Sequence, residues 1–290
     1  GWIVDGVFKK AASQRIRRAL ARGFSIASAS AGRLLLYIMP AVVPFPVTPA
    51  IRWLGRVDYA RGLALQEEIV ARHLAGEAAD TLLLLEHDPV FTIGRNPDRS
   101  SLGDPAALPA PLVEIGRGGK ATWHGPGQLV GYPIVKLAEP IDVVRYVRRI
   151  EEALITVCTD LGLNCGRIDG RSGVWLPAEL ANGQWKPERK VSAIGVRVQR
   201  GVALHGFSLN CNSVLTGFDN IIPCGIRDAG VTTLSHELGR DVTVDEVTPA
   251  VTEAVIAALD GTMPVTERNV ERVTFESASP TPTFTTVQYS

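Results

Sequence analysis

Thr81-Leu-Leu-Leu-Leu-Glu-His-Asp-Pro-Val-Phe-Thr-Ile-Gly94 is the stretch that decides the fold class. Its first apolar run, through Glu86, is broken by His87-Asp88-Pro89 and resumed by Val90-Phe91-Thr92-Ile93. Short apolar runs bounded by turn residues predict two buried strands around a tight turn. Before it, Arg61 to Leu74 sets Leu65, Ile69 and Leu74 at nearly helical spacing among charged residues and ends near Gly76, which predicts an amphipathic helix. After it, Asp142 is placed to cap a helix whose Val143, Val147, Ile150, Leu154 and Leu161 form one face, ending at Gly162. Val191 to Val198 reads as a strand with Ile194, Val196 and Val198 on one side, and Phe207, Leu209 and Cys211 alternate on a following strand. The last element is a helix ending at Leu259 and Gly261, with Pro249 leaving its cap at either Thr243 or Thr248. Helices and strands mixed in this order, with adjacent strands as hairpins, predict an α+β or mixed α/β fold.

The 290 residues carry 30 basic and 30 acidic side chains and are 46% hydrophobic. A packed core follows, and disorder throughout is excluded. Zero net charge argues against a protein whose main task is neutralising nucleic-acid phosphates and leaves room for a local basic patch. The apolar run Leu34 to Met39 meets Pro40, Pro44, Pro46 and Pro49, far short of the roughly 20 apolar residues that span a bilayer. Cys158, Cys165, Cys211 and Cys224 form neither a disulfide framework nor a C-x-x-C pair, so reduced thiols and a cytoplasmic setting are expected. Residues 1–50 hold seven Lys or Arg and one acid, Asp5. They read as a basic extension, either a targeting segment or an addition the fold does not need. Periodicity is lost after about Met263, and Ser279-Pro-Thr-Pro-Thr283 reads as flexible, so a single catalytic domain is expected over 51–262 with a tail over 263–290.

The densest functional signal is Arg117-Gly-Gly-Lys-Ala-Thr-Trp-His-Gly-Pro-Gly-Gln128. Its glycines let backbone approach a ligand, while Arg, Lys, Thr, His and Gln offer polar contacts. It matches neither standard phosphate-loop pattern, so nucleotide binding is not indicated, and a glycine-rich turn with incidental polar residues is the plainer alternative. Cys158 and Cys211 fall on apolar faces and read as small core residues. Cys224 sits in Ile222-Pro-Cys-Gly225, where proline fixes the turn and glycine admits a substrate, a setting for a nucleophile or for an ordinary loop thiol. Lys190 opens a strand after the polar, insertion-like stretch 178–189; it is either a solvated strand-end lysine or a cation that favours a nearby thiolate. His87, His124, His205 and His236 lack zinc-site spacing.

Taken together, Glu86-His-Asp-Pro-Val-Phe-Thr-Ile-Gly94, Arg117 to Pro133, Lys190-Val-Ser-Ala-Ile-Gly195, His205-Gly-Phe-Ser-Leu-Asn210 and Pro223-Cys-Gly225 resemble the lipoyl(octanoyl) transferase family, in order and spacing, over about residues 53–260 and most nearly its actinobacterial members. The resemblance implies the fold of biotin and lipoate protein ligases, a mixed sheet flanked by helices around an acyl groove. It implies that octanoyl passes from acyl carrier protein to a cysteine and then to a lysine of a lipoyl domain, in the 2-oxoacid dehydrogenase complexes or the glycine cleavage H protein, with no cofactor, metal, nucleic acid or membrane. Carried onto this sequence, Cys224 is the nucleophile and Lys190 its partner. Arg117, Gly118, Gly119, Lys120, Ala121, Thr122, Trp123 and His124, then Ala193, Ile194 and Gly195, then Gly206, Phe207 and Ser208 line the substrate site. Ala193 stands where many members have Ser. For an acidic carrier, Arg95, Arg117, Arg145, Arg148 and Arg149 are the candidate contacts. The competing readings are an ATP-dependent lipoate-protein ligase of the same fold and a non-catalytic acyl-binding protein.

Overall fold

The structure, a computed structural model, describes residues 49–95, 99–181 and 183–271. The basic extension before residue 49 and the Ser279–Thr283 segment lie outside the described residues. Along the chain run β1 (Ala50–Val57), α1 (Tyr59–Leu74), β2 (Thr81–His87), β3 (Val90–Ile93), β4 (Leu112–Glu114), β5 (Thr122–His124), β6 (Gln128–Ile134) and α2 (Val143–Asp160). Then come β7 (Gly166–Ile168), β8 (Arg171–Leu176), β9 (Glu179–Ala181), β10 (Gln184–Lys186), β11 (Arg189–Gln199), β12 (Val202–Asn210), β13 (Gly230–Val231), α3 (Leu234–Leu238) and α4 (Val244–Asp260).

The central sheet has the order β1-β2-β6-β12-β11-β8-β7, with β13 pairing β11. β1 with β2 and β11 with β13 are parallel and the other pairs antiparallel, so the sheet is mixed. Ile69 and Val70 of α1 pack on Leu83, Leu85, Val130, Tyr132, Ile134, Val202 and Leu204. Strand side chains alternate between faces, and Leu82 and Leu84, which point away from α1, are just as buried. Both faces are therefore covered; α2 and α4 pack on each other and onto β6, β8 and β11.

The helix ends follow from local chemistry. Asp58 caps α1 by accepting from Arg61 N, and Asp142 caps α2 by accepting from Arg145 N at 2.9 Å, as its position predicts. Thr243, not Thr248, caps α4, and Pro249 lies inside that helix. The Thr248 hydroxyl instead donates back to the Val244 carbonyl at 2.7 Å. β11 and β12 join through Arg200-Gly201, both at positive φ, the two-residue turn that suits a twisted hairpin.

Two sequence expectations need correction. Thr81–His87 and Val90–Ile93 are both strands, yet they do not pair: β2 is an interior strand whose two edges are taken by β1 and β6. After Pro89 the chain leaves for a second sheet, β4-β3-β5, with its own core of Phe91, Ala121, Trp123 and Ile221. The chain after Met263, expected as tail, stays on the fold as far as Val270. Arg167 N donates to Arg268 O and Val270 N to Arg167 O, each at 2.7 Å, beside the edge of β7. The 178–189 stretch forms the small hairpin β9–β10 and returns through Arg189, which pairs with Glu179 and Glu237.

Candidate active site

A cleft of about 380 Å³ lies where the three-stranded sheet meets β11 and β12. It is lined by Arg117, Gly118, Gly119, Lys120, Thr122, His124, Lys190, Ala193, Ile194, Gly195, Gly206, Phe207 and Ser208, so most of the residues expected from three separate sequence segments converge there. Ala121 and Trp123 do not. In β5 the side chains alternate, which turns Thr122 and His124 to the cleft and Trp123 away, onto Phe218 with ring centroids 5.6 Å apart; Ala121 is fully buried in the same core.

Arg117 organises its own loop. Its buried guanidinium donates to the carbonyls of Gly118 (2.8 Å), Lys120 (3.1 Å) and Thr92 (3.2 Å) and to Thr92 Oγ1 (2.8 Å). Glycine at 195 lets β11 pass close to this side chain: a Cβ there would lie 3.0 Å from Arg117 Cδ, so Arg117 would have to shift. His124 Nδ1 meets Gln128 Oε1 at 2.7 Å, while the Gln128 amide donates to the Trp123 carbonyl and to Asn210 Oδ1. The amide orientation makes Nδ1 the protonated nitrogen of His124 and leaves Nε2 as an acceptor. Burial, reinforced by the nearby His87, pushes His124 down to about 3, and burial pushes His205 down to about 4. Both imidazoles are neutral at neutral pH.

Lys190 is 6% exposed and holds its Nζ 4.6 Å from the centroid of the Trp175 ring. A bulge between Lys190 and Ser192 re-aims this stretch of β11 relative to β8. The Cys224 segment comes back to the same place. Pro223–Gly225 is a 3₁₀ turn, Pro223 shares a small recess with Lys190, Thr122 and Ser208, and Ile226 lines the main cleft. Seven residues on, β13 pairs with β11 at Lys190 itself: Val231 lies opposite it, and Thr232 N donates to the Lys190 carbonyl at 3.0 Å. Gly225 has φ +71, and a Cβ there would overlap the Lys120 side chain, whose Nζ would be 3.0 Å away. Lys120 thus lies against Gly225 of the turn, and Lys190 shares a recess with its Pro223.

Sequence reading missed Tyr59, Tyr132, Gly170, Arg171, Ser172, His205 and Ile226 as cleft residues. Tyr132 and His205 stand inside quoted motifs, where an aromatic flanked by apolar residues cannot be told from core. Tyr59 and Arg171 carry no signal until the fold assembles them. The arginines expected to meet an acidic carrier separate. Arg117 lies inside the site; Arg149 is buried and donates to the Leu259 carbonyl; Arg148 pairs with Glu151; Arg145 and Arg95 are exposed.

A mixed sheet with helices on both faces carries a glycine-walled cleft lined by Lys120 and Lys190, with the Pro223–Gly225 turn beside it. The family profile of the lipoyl protein ligase A/B catalytic domain matches residues 58–256, and the chain belongs to that family. The octanoyltransferase of Rhodococcus opacus strain B4 is 67% identical over 251 residues, 85% of this chain and 95% of that protein. The octanoyltransferase of Mycobacterium tuberculosis strain H37Rv is 59% identical over 218 residues, 75% of this chain and 90% of that protein. Among solved structures, a bipartite lipoate protein ligase from Thermoplasma acidophilum superposes with a TM-score of 0.57 at 17% identity, covering 79% of this chain and 88% of that one. A lipoate-protein ligase A bound with ATP gives 0.56 at 16% identity, covering 80% and 91%. The structural likenesses establish the fold; the close sequence relatives make this chain an acyltransferase, an octanoyltransferase.

Proposed function

We propose that this octanoyltransferase takes its acyl group from the phosphopantetheine thioester of acyl carrier protein, holds it as a thioester on Cys224, and delivers it to a lysine of a lipoyl domain, with Lys190 as the proton-handling partner. The observation that supports this most is the return of the Pro223–Gly225 segment to Lys190, through the recess that Pro223 and Lys190 share and the pairing of β13 at Lys190.

In the first step the Cys224 sulfur attacks the donor carbonyl carbon, the carbon–sulfur bond to pantetheine breaks, and the departing thiolate takes a proton. In the second step the acceptor amine attacks the same carbon, the bond to Cys224 breaks, and one amine proton leaves to a base. Thioester replaces thioester in the first step, so the acyl-enzyme keeps the reactivity of its donor and no separate activation is required. An ammonium beside a thiol favours the thiolate and gives and takes the protons that both steps move. The cleft supplies an uncharged wall of Tyr59, Tyr132, Phe207 and neutral histidines for the octanoyl chain, and its volume falls in the range of small-molecule sites.

Intact mass spectrometry after incubation with octanoyl carrier protein is the test. The expected result is one octanoyl adduct on Cys224 that disappears when lipoyl domain is added. Transfer supported only by free octanoate with ATP, without an adduct, would replace this reading by a ligase mechanism. An adduct that persists in the presence of lipoyl domain would leave only acyl binding.

A further inference from the structure

Several irregularities meet at one point of the central sheet. β6 and β12 pair from Gln128–Asn210 to Gly131–Phe207, and the same register resumes at Lys136 opposite Val202. Between these, Pro133 faces His205. Proline has no N–H to give, so the ladder opens there. The Pro133 carbonyl instead accepts from the Tyr146 hydroxyl at 3.3 Å. His205 adopts φ +58, left-handed backbone that a non-glycine residue inside a strand rarely takes. Gly206 then passes so close to β6 that a Cβ would overlap the Gly131 carbonyl and lie 2.6 Å from Pro133 Cδ.

The N–H that the opened ladder leaves on His205 goes to a side chain from another layer. Gln66, fully buried on α1, accepts it on Oε1 at 2.8 Å. Only the carbonyl oxygen of an amide can accept from a backbone N–H, which fixes the Gln66 orientation and sends its Nε2 elsewhere. That Nε2 and His205 Nδ1 are both buried without a hydrogen-bond partner among the described residues. Native folds rarely leave buried polar atoms unpaired.

What this arrangement orients is functional. His205, Gly206, Phe207 and Ser208 all line the cleft, and they are the residues directly after the break. Backbone outliers of this kind are retained where their geometry is used. We propose that Gln66 is a positioning residue of the acyl site: by holding the His205 N–H it fixes the left-handed turn of β12 and so aims the Gly206–Ser208 wall at the substrate. This rests on the transferase reading for the identity of the substrate, and on the geometry above for the role of Gln66.

The full chain with Gln66→Met, which keeps side-chain length and removes the acceptor, is compared with Gln66→Glu, which keeps an acceptor oxygen. With octanoyl carrier protein as donor, Gln66→Met is expected to raise the donor KM about tenfold while changing kcat less, and Gln66→Glu to restore most of it. In a His205→Gly background, where left-handed backbone is unstrained, the Gln66→Met penalty should shrink to about twofold. Hydrogen exchange gives a readout without catalysis: the His205 amide should exchange at least about tenfold faster in Gln66→Met than in wild type. If Gln66→Met does not fold, Gln66→Glu alone decides, with near-wild-type donor KM expected. A folded Gln66→Met with wild-type KM and unchanged exchange, a Gln66→Glu with the Met defect, or an undiminished penalty in the His205→Gly background would each overturn the proposal. Absence of octanoyl transfer by wild type would defeat the transferase reading, and the exchange measurement would still judge Gln66.

Discussion

Lys190 and the cysteine of the 223–225 turn should fail in different ways when removed. Cys224→Ala is expected to abolish the octanoyl adduct and all turnover. Lys190→Ala keeps the thiol but loses the cation that β11 holds over Trp175. A free thiol near pKa 8.5 is mostly protonated at neutral pH, so acylation should slow by about a hundredfold and recover in part as pH rises. Transfer from a preformed acyl-enzyme should slow as well, because the incoming amine must lose a proton. Single-turnover acylation rates over about pH 6 to 9 check this, and equal rates for wild type and Lys190→Ala would remove Lys190 from the mechanism. At this scale local context marks both residues as candidates, a strand-opening lysine and a thiol between proline and glycine. The return of the 223–231 backbone to Lys190 is not legible there, because it depends on β13 pairing with β11, and Gly230-Val231 is too short to announce a strand. Tyr59, Tyr132 and Gln66 stayed hidden for a related reason: on an amphipathic helix or inside a strand, a residue facing a cleft and one facing core have the same spacing.

Among the elements, the two long helices and the β11–β12 hairpin could be read because each has a period and a punctuating cap or turn. The pairing of β2 and β3 was misread because periodicity reports burial, and a strand can bury itself in a neighbouring sheet as well as beside its predecessor. The edge of β7 shows a similar limit. Arg167 there is 3% exposed and pairs with Glu151 at 3.1 Å and Glu152 at 2.5 Å, and residues without periodicity complete the network. Thr266 donates to Glu152 at 2.7 Å, and its carbonyl accepts from Arg167 at 2.8 Å. We propose that the catalytic domain runs through Glu271. A chain ended at Thr262 loses these bonds and the two backbone bonds of Arg167, leaving a buried charge cluster short of partners. Each lost bond to a buried group costs about 1 kcal/mol or more, which for a domain of this size is about 2 to 4 °C in Tm for every bond lost. A chain ended after Glu271 should melt with the full-length protein. Scanning calorimetry of the two truncations decides, and equal melting temperatures would return the boundary to 262.

Taken as a whole, the molecule places buried, neutral imidazoles where the α1 face of the sheet meets the smaller one, and this sets how it answers acid. Burial lowers His87, lowers His124 to about 3 with His87 adding to the effect, and lowers His205 to about 4. In the unfolded chain these groups titrate near 6.5. Between that value and their folded ones the unfolded state binds more protons, so their contribution is fully present above about pH 6.5 and is lost as pH falls toward the folded values. Each such histidine steepens the decline by up to about 1.4 kcal/mol per pH unit. Carboxylates in the unfolded chain are half-titrated near about pH 4, so over the interval from about pH 6.5 to 5 the histidines take up most of the protons. Denaturant unfolding across that interval should show stability falling with acid, and His124→Asn, which cannot take the proton, should flatten the slope by nearly one proton. An unchanged slope in a folded His124→Asn protein would mean that His124 is protonated in the native cleft. The same desolvation that makes the fold acid-sensitive keeps these imidazoles uncharged at neutral pH, which suits a wall that is to hold an eight-carbon chain out of water.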